Sequence, residues 1–386
     1  MTGSMSNPLL READMASAKR PAVTVLMSVF NGEEFLRKAV DSILSQTYKD
    51  FELLVIDDCS TDHSADILRS CTDPRLRVVH NPQNLGLTAA LNLGLQLSRG
   101  DLIARQDADD VSHATRLERQ VGFLRQNPHI TLLGTQVRIV NETSRVLRPM
   151  VLHRCASELG VSWQLLFGNP FVHSSVMFRR AAITDLGGYN ESLRYSQDIE
   201  LWSRVLTRHQ GTNLKETLVD YRTHPGSIVN QRGSEVLESR RHNLRLNQEL
   251  LRANTLRLSG DAELAASWAN LWVEINVPWI TGDPPAPARA LTLIKHLYDR
   301  FVGRNPAARD DAEIQLHLAS VYLYLAYYLA ARDRSAAVVS LGRSLHLRPR
   351  VTPRHLASIG VGLVFGNAGI RRLRGFVAAL RPRPAR

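Results

Sequence analysis

Near residue 100 the chain reads Asp101-Leu-Ile-Ala-Arg-Gln-Asp-Ala-Asp-Asp110. The apolar run from Leu102 to Ala104 predicts a short buried strand, and carboxylates follow it almost at once. Asp107 and Asp109 are two residues apart, so in an extended backbone their side chains point to the same side. Carboxylates held together repel each other unless a cation lies between them, and oxygen ligands suit Mg²⁺ or Mn²⁺. The stretch therefore predicts a divalent cation site at the carboxyl end of a central strand.

The same local pattern has simpler explanations. An Asp-x-Asp pair arises by chance about once in a chain of this length, and aspartates also cluster at strand ends as turn and helix-capping residues. A calcium-binding EF-hand loop is excluded, because that loop needs glycine at its sixth position and Ser112 stands there. The cation interpretation therefore depends on the rest of the chain.

Strand and helix patterns alternate along the first part of the chain. This alternation, with short links, indicates βαβ units and a mostly parallel sheet with helices on both faces. In such sheets ligands bind at the carboxyl ends of the strands, and polar clusters follow three of the predicted strands there. The predicted strands are Ala22–Phe30, Phe51–Ile56, Leu76–Val79 and Leu102–Ala104, and the polar clusters are Ser28–Asn31, Asp57–Asp62 and Asp107–Asp110.

Charge and composition restrict the class of protein. The net charge of +11 and the pI of about 10.0 favour an acidic partner: a nucleotide, a lipid diphosphate, an anionic membrane or nucleic acid. The three cysteines form no CxxC pair, which argues against a disulfide framework and fits a reducing cytoplasm. The first twenty residues lack the apolar core of a signal peptide, and the apolar runs Val321–Ala331 and Ile359–Phe365 are too short to cross a bilayer. We expect a protein that is not integral to a membrane.

The composition shifts at about Glu235 towards helical periodicity. We therefore predict three regions: a flexible tail at residues 1–20, an α/β domain at 21–234 and an α-helical carboxyl-terminal region at 235–386. Within the last region, Ala312–Pro349 predicts a helical hairpin that resembles one tetratricopeptide-type unit. The end, Arg371–Arg386, is either a basic amphipathic helix on an anionic membrane surface or a solvated, partly disordered tail.

Two segments beyond the predicted parallel sheet also carry candidate residues. Phe171–Phe178 predicts a strand that brings His173 and Ser174 near the sheet. Ser196–Trp202 predicts the start of an amphipathic helix with Asp198 in its first turn, where the helix dipole favours a carboxylate. Asp198 is therefore a helix-start residue, a functional residue or both.

Eight short motifs, in the same order, make the chain from Pro21 to Arg232 resemble family 2 glycosyltransferases of the GT-A fold. The resemblance implies a nucleotide-diphospho-sugar transferase domain with a Rossmann-like, mostly parallel sheet, and it leaves the helical region outside. The motifs are Val25-Leu-Met-Ser-Val-Phe-Asn-Gly32, Asp41-Ser-Ile-Leu-Ser-Gln-Thr-Tyr48, Phe51-Glu-Leu-Leu-Val-Ile-Asp-Asp-Cys-Ser-Thr-Asp62, Asn84-Leu-Gly-Leu87, Ile103-Ala-Arg-Gln-Asp-Ala-Asp-Asp110, His173-Ser-Ser-Val-Met-Phe-Arg179, Gln197-Asp-Ile-Glu-Leu-Trp202 and Tyr221-Arg-Thr-His224.

The resemblance implies a set of side chains that hold the donor, a nucleoside-diphosphate sugar. Asp58 would accept a hydrogen bond from the base. Asp107 would lie near the ribose and the metal, Asp109 would bind the Mn²⁺ or Mg²⁺ directly, and His224 would approach the metal or the diphosphate. The side chains lining the nucleotide pocket would be Ser28, Phe30 and Asn31.

The resemblance also implies the chemistry of transfer. Asp198 would take the proton of the acceptor hydroxyl, and in-line attack would invert the anomeric carbon. His173 and Ser174 would shape the acceptor side, where a glycan or a lipid-linked acceptor is expected at the inner face of the plasma membrane. The chain departs from the commonest family pattern at Phe30 (often Tyr), Cys59 (often Gly) and Gln197 (often Glu).

Two other classes of function remain as alternatives. A nucleotidyltransferase could use a similar sheet and metal carboxylates, but only Asn31-Gly32 follows the first strand where a Gly- and Lys/Arg-rich phosphate loop would be needed. A non-catalytic basic scaffold or nucleic-acid binder has no need of carboxylates at several strand ends, and the sequence has no nucleic-acid motif. A dinucleotide site is disfavoured because no GxGxxG follows the first strand, and Gly360, Gly362 and Gly366 miss that spacing.

Overall fold

The computed structural model of the chain describes residues 20–148, 155–227, 248–276, 287–329 and 334–347. The described residues form two compact units. The first unit comprises residues 20–148, 171–210 and 216–227, and the second comprises 155–170, 211–215 and the described residues from 248 onward. Residues 1–19 of the tail predicted at 1–20 and the basic end at 371–386 lie outside the described residues.

The first unit is built on a nine-stranded mixed sheet. Its strands are β1 (Val23–Val29), β2 (Phe51–Asp57), β3 (Leu76–His80), β4 (Leu102–Asp107), β5 (Val111–Ser112), β6 (Ile130–Val140), β7 (Val146–Arg148), β8 (Met177–Arg179) and β9 (Gln210–Arg222). They lie in the order β3-β2-β1-β4-β8-β6-β9-β5, and β7 pairs with β6. Pairing is parallel from β3 to β4 and antiparallel for β4–β8, β6–β8, β6–β7 and β5–β9. The predicted α/β class is confirmed, and its parallel half carries the predicted polar clusters.

The register of the parallel strands brings their carboxyl ends to one edge. β1 and β2 are buried almost throughout, which explains their continuous apolar sequences. Ser28 on β1 pairs with Asp107 on β4 and, on its other side, with Ile56 on β2. β4 runs to Asp107, beyond the predicted end at Ala104, because β1 continues to pair with it.

Helices connect the strands and make up most of the second unit. Leu36, Ala39, Val40 and Ile43 are buried, as their three- and four-residue spacing predicts. The helices are α1 (Leu36–Leu44), α2 (Ser64–Arg69), α3 (Leu87–Leu97), α4 (Arg116–Gln126), α5 (Glu158–Gln164), α6 (Arg180–Asp185), α7 (Gln197–Arg208), α8 (248–259), α9 (Ala262–Asn276), α10 (Pro287–Arg304), α11 (Ala312–Leu329) and α12 (Arg334–Leu347).

The predicted strand at Phe171–Phe178 is wrong for most of its length. His173–Ser175 forms a short 3₁₀ helix, and only the following Met177–Arg179 is a strand. The reason is local: the Ser175 hydroxyl donates a hydrogen bond to the carbonyl of Val172 at 2.8 Å, which favours a tight turn over a strand ladder.

The second unit takes in two segments from within the predicted α/β range. Trp163 on α5 is fully buried and packs its ring against Tyr298 and Phe301 of α10. The backbone amides of Ala156 and Ser157 donate to Glu313 at 2.6 and 2.8 Å. The compact units therefore do not follow the single division that we predicted at residues 234 and 235, because α5 supplies part of the helical core.

The predicted hairpin at Ala312–Pro349 is present as α11 and α12, and the guanidinium of Arg343 lies 5.4 Å from the ring centre of Tyr322. In the region predicted to be helical from residue 235 onward, residues 248–259 are helical and residues 235–247 lie outside the described residues. Among the helices described, none has both the length and the apolar character needed to cross a membrane.

A fully buried arginine, Arg116 on α4, supports the carboxyl end of β4. Burial lowers its pKa to about 9, so its charge is held at a cost that hydrogen bonds must offset. Its guanidinium donates five of them, to side chains and backbone around β4. The acceptors are the side chains of Gln106, Ser112 and Gln120 and the carbonyls of Arg105 and Val176.

We expect Arg116→Met to lower the free energy of unfolding by about 3 kcal/mol or more, because several buried acceptors would lose their donor. Urea denaturation measures the change. Arg119→Met is the matched control on the same helix: Arg119 is exposed and pairs with Glu216 at the surface, so its loss should cost less than about 1 kcal/mol. Equal losses in the two variants would contradict the assignment.

Candidate active site

Three carboxylates meet in the turn that follows β4, residues 107–110, which we call the acidic turn. Asp107 ends the strand, and Asp109 and Asp110 lie in the turn before β5. One potential ligand oxygen from each side chain lies within 4.8 Å of those of the other two. The buried side chain of Gln106 closes the turn: its Nε2 donates hydrogen bonds to the backbone carbonyls of Asp107 and Asp110 at 3.1 and 2.9 Å. The sequence prediction that Asp107 and Asp109 converge agrees with this arrangement, and Asp110 joins them.

Burial and mutual repulsion make this group of acids electrostatically unfavourable. Burial raises the pKa of Asp110 well above its ordinary value, and the charges of Asp109 and Asp107 raise it further. Burial and Asp107 also raise the pKa of Asp109, while His224, with Nε2 3.1 Å from Oδ2 of Asp109, lowers it in part. An all-oxygen, negatively charged set of this kind fits a hard divalent cation such as Mg²⁺ or Mn²⁺.

A buried arginine lies on the other side of Asp107. Arg105 is 1% exposed and forms an ion pair with Asp107. Burial and the charge of Arg105 together lower the pKa of His173 well below its ordinary value, so this imidazole is neutral at physiological pH. Nε2 of His173 lies 2.8 Å from the hydroxyl of Tyr189. The hydroxyl of Ser174, predicted on the acceptor side, accepts a hydrogen bond from the backbone amide of Asp107 at 3.0 Å.

Asp198 lies in the first turn of α7, as predicted. Ser196, just before this helix, has φ of 59°, a left-handed backbone that costs about 1–3 kcal/mol in a residue other than glycine. Burial raises the pKa of both Tyr189 and Tyr221, and the charges of Asp198 and Asp107 raise it in both. The charges of Asp198 and Asp107 therefore both act on these two phenols.

The loops after β1 and β2 are tied together at the edge where the nucleotide was predicted. Asn31 has φ of 51°, and its side-chain oxygen accepts a hydrogen bond from the amide of Thr61 at 2.8 Å. Its own amide donates to the hydroxyl of Ser60 at 3.0 Å. Phe30 is 51% exposed, so its ring is available for a ligand. Asn31 therefore has a structural task besides the predicted contact with the nucleotide.

The carboxylate of Asp58, predicted to bind the base, also accepts hydrogen bonds from other residues of the chain. It is 2% exposed, and its carboxylate accepts hydrogen bonds from Asn81 Nδ2 at 2.7 Å and from the amides of Leu85 and Gly86 at 3.0 and 2.8 Å. A carboxylate offers about four acceptor positions, so a bond to a base would use what these three leave. The next residue, Cys59, has φ of 66°, which explains why glycine is common at this position.

Three residues of this region were not among the predicted site residues. Asp110 directly follows the predicted pair, and Arg105 lies within the same motif. Arg222 lies in the Tyr221–His224 motif and donates from Nε to the carbonyl of Asp109 at 2.8 Å. The motifs contained the signal for all three, but their burial and contacts could not be read from residue type.

Comparisons with known proteins agree with these observations. The model of the family described as "Glycosyl transferase family 2" matches residues 24–187. The Bacillus subtilis protein EpsE is 36% identical over 208 residues, which are 52% of this chain and 73% of EpsE. The O-antigen biosynthesis glycosyltransferase WbnJ of Escherichia coli is 33% identical over 209 residues, 52% of this chain and 80% of WbnJ.

A relative of similar extent is the amylovoran biosynthesis glycosyltransferase AmsE of Erwinia amylovora, which is 28% identical over 240 residues, 61% of this chain and 88% of AmsE. Among solved structures, S. aureus TarS 1–349 in complex with UDP has a TM-score of 0.51 at 15% identity, covering 85% of this chain and 92% of that one. This likeness supports the GT-A fold.

We expect Asp110→Asn to raise the melting temperature of the metal-free protein at pH 8 by about 2 °C or more. An acid whose folded-state pKa is raised holds its proton more firmly when folded, so wild-type stability falls as pH rises from about 4 through the raised value. Asparagine removes that charge while keeping an oxygen that can accept the bond from the Arg222 amide.

Thermal unfolding with a chelator present, from pH 4 to pH 8, tests this expectation. Asp101→Asn is the control, because the Asp101 side chain is 98% exposed at the start of the same motif. The advantage of Asp110→Asn should shrink towards pH 4 and be absent in the control. A constant difference between variant and wild type over this pH range would contradict the expectation.

Proposed function

This chain belongs to glycosyl transferase family 2, and on that premise we propose that it transfers a sugar from a nucleoside-diphosphate sugar to an acceptor hydroxyl with inversion. The observation that carries the proposal is the meeting of Asp107, Asp109 and Asp110 in one turn. The charges of Asp107 and Asp198 both raise the pKa of Tyr189 and of Tyr221, which supports placing the base near the donor.

The acidic turn would hold the diphosphate end of the donor. Asp109, with Asp107 and Asp110, would bind Mn²⁺ or Mg²⁺, and a bound cation supplies neutralisation of the charge that develops on the leaving diphosphate. His224 would orient the Asp109 carboxylate, since ligating carboxylates are usually fixed by a neighbouring hydrogen bond. The ion pair with Arg105 would fix Asp107 in the same way.

The nucleoside would lie along the edge formed by β1 and β2. Phe30 offers an exposed ring for contact with the base or ribose, and Ser28 and Asn31 would line the same pocket. Asp58 would accept a hydrogen bond from the base with the acceptor capacity left by its three protein partners. The Asp58 bonds to the 81–86 loop would keep this pocket rigid.

Asp198 would act as the general base. As the acceptor oxygen bonds to the anomeric carbon, its proton passes to the Asp198 carboxylate, and the bond from that carbon to the diphosphate oxygen breaks on the opposite face. This displacement inverts the anomeric centre, and the proton transfer is worth about 10²–10⁴ in rate. The raised pKa of Tyr189 and of Tyr221 keeps both phenols neutral, so they can donate hydrogen bonds but do not compete as bases.

The acceptor and the cell compartment are proposed from the relatives. WbnJ and AmsE are named for O-antigen and amylovoran biosynthesis, so we propose that this chain builds a surface polysaccharide or a lipid-linked glycan. Such an enzyme would work in the cytoplasm, at the inner face of the membrane. His173, beside Tyr189, and Ser174, bonded to the Asp107 amide, would shape the acceptor side.

We expect Asp198→Asn to lower the transfer rate about 10²- to 10⁴-fold, because the amide cannot take the proton of the attacking hydroxyl. Donor binding should be retained, because asparagine has nearly the same size as aspartate and the three carboxylates proposed to bind the cation are unchanged. Release of nucleoside diphosphate from a panel of nucleotide sugars measures the rate, and calorimetry measures donor binding. Asp185→Asn, at the end of α6, is the control. A wild-type rate in Asp198→Asn would remove Asp198 from the role of base.

A further inference from the structure

Arg222, the last residue of β9, forms hydrogen bonds with both Asp109 and Asp110. It is 1% exposed. Its guanidinium Nε donates to the carbonyl of Asp109 at 2.8 Å, and its backbone amide donates to Oδ1 of Asp110 at 2.7 Å. One residue that is far away in sequence therefore binds the backbone of one acid and the carboxylate of the next.

The same guanidinium spans from the acidic turn to the turn that joins β6 and β7. Its Nη1 donates to the carbonyls of Asn141 and Glu142 at 2.8 and 3.0 Å and to the hydroxyl of Ser144 at 3.2 Å. The far end of Arg222 is thus anchored in a second turn, so its near end cannot shift without breaking several bonds.

An aromatic ring holds the guanidinium from the side. The charged centre of Arg222 lies 4.7 Å from the ring centre of Phe35, a distance typical of a cation–π contact. Phe35 also packs against the imidazole of His224, with ring centres 4.9 Å apart, and His224 in turn contacts the Asp109 carboxylate. Arg222, Phe35, His224 and Asp109 therefore form a closed ring of contacts around the turn.

The kind of oxygen atom that accepts hydrogen bonds from the Arg222 guanidinium indicates what this residue does. Its guanidinium bonds go to neutral carbonyl and hydroxyl oxygens, and within the described residues it forms no ion pair with a carboxylate. A guanidinium normally prefers carboxylates, which it can bind in bidentate fashion. In this geometry Arg222 contacts the backbone of Asp109 and not its carboxylate, whose Oδ2 lies beside His224.

We infer that Arg222 is a positioning residue for the diphosphate end of the donor: it sets the direction of the Asp109 and Asp110 carboxylates so that together they can bind a divalent cation. The inference rests on the proposed function, because it concerns the same acidic turn. It predicts that a variant without Arg222 that still folds binds the cation more weakly than wild type does. Outer contacts of this kind typically change metal affinity about 10- to 100-fold.

Binding of Mn²⁺ by the full chain, followed by electron paramagnetic resonance, tests the inference with a readout other than activity. Mn²⁺ is titrated alone and then in the presence of UDP or GDP. The variants are Arg222→Met, Arg222→Lys and the control Arg138→Met. Arg138 pairs with Asp220 across β6 and β9 but has no bond to the acidic turn among the described residues. Thermal unfolding without metal is measured for each variant.

We expect Mn²⁺ to bind Arg222→Met about 10- to 100-fold more weakly than wild type, Arg222→Lys to recover part of the loss, and Arg138→Met to bind as wild type does. If Arg222→Met does not fold, the Mn²⁺ affinities of Arg222→Lys and Arg138→Met are compared instead, and we expect the Arg222→Lys variant to bind Mn²⁺ more weakly. Equal affinity in wild type and the Arg222 variants would overturn this inference and leave the proposed function intact. If wild type itself binds no Mn²⁺ under any of these conditions, the proposed cation site and this inference fall together.

Discussion

Repulsion among the carboxylates of Asp107, Asp109 and Asp110 is the constraint on which the candidate site depends. Three such groups within 4.8 Å would separate if their backbone were free to move. The sheet prevents this: β4 delivers Asp107, and the amide of Gln106 clamps the turn. Arg222 then holds the turn from β9. The fold therefore keeps a charge arrangement that is unfavourable by itself and that a bound cation would stabilise.

Two buried arginines near the acidic turn have different roles: one neutralises a carboxylate and the other stabilises the strand β4. Arg105 pairs with Asp107, so part of the negative charge is balanced within the protein. Arg116 donates hydrogen bonds to neutral groups, among them the Gln106 side chain and the Arg105 carbonyl of β4, and so stabilises this strand. Asp109 and Asp110 keep raised pKa values, because burial and repulsion exceed the help they receive. A site with residual negative charge at its rim suits a metal-bound diphosphate better than a free one.

Much of this architecture could be predicted from the sequence, because strands buried on both faces read as continuous apolar runs and polar clusters mark where they end. Asp107 and Asp109 were found in this way. The bond from Arg222 to Asp109 joins residues 113 apart, and nothing in their types announces it. The burial of Asp58 and the place of Trp163 in the helical core likewise depend on tertiary packing. The 3₁₀ turn at His173–Ser175 was missed because a serine hydroxyl outweighed an apolar pattern.

If the candidate site works as proposed, the acids of the turn after β4 share one cation with the leaving diphosphate of a sugar donor. The most direct measurement is calorimetric titration of the full chain with UDP and GDP, each with Mn²⁺ and with a chelator. The account predicts that one diphosphate binds tightly with Mn²⁺ and at least about tenfold more weakly without it, because the acidic turn repels the uncompensated phosphates. Equal affinity with and without the cation, or no binding of either diphosphate, would contradict it.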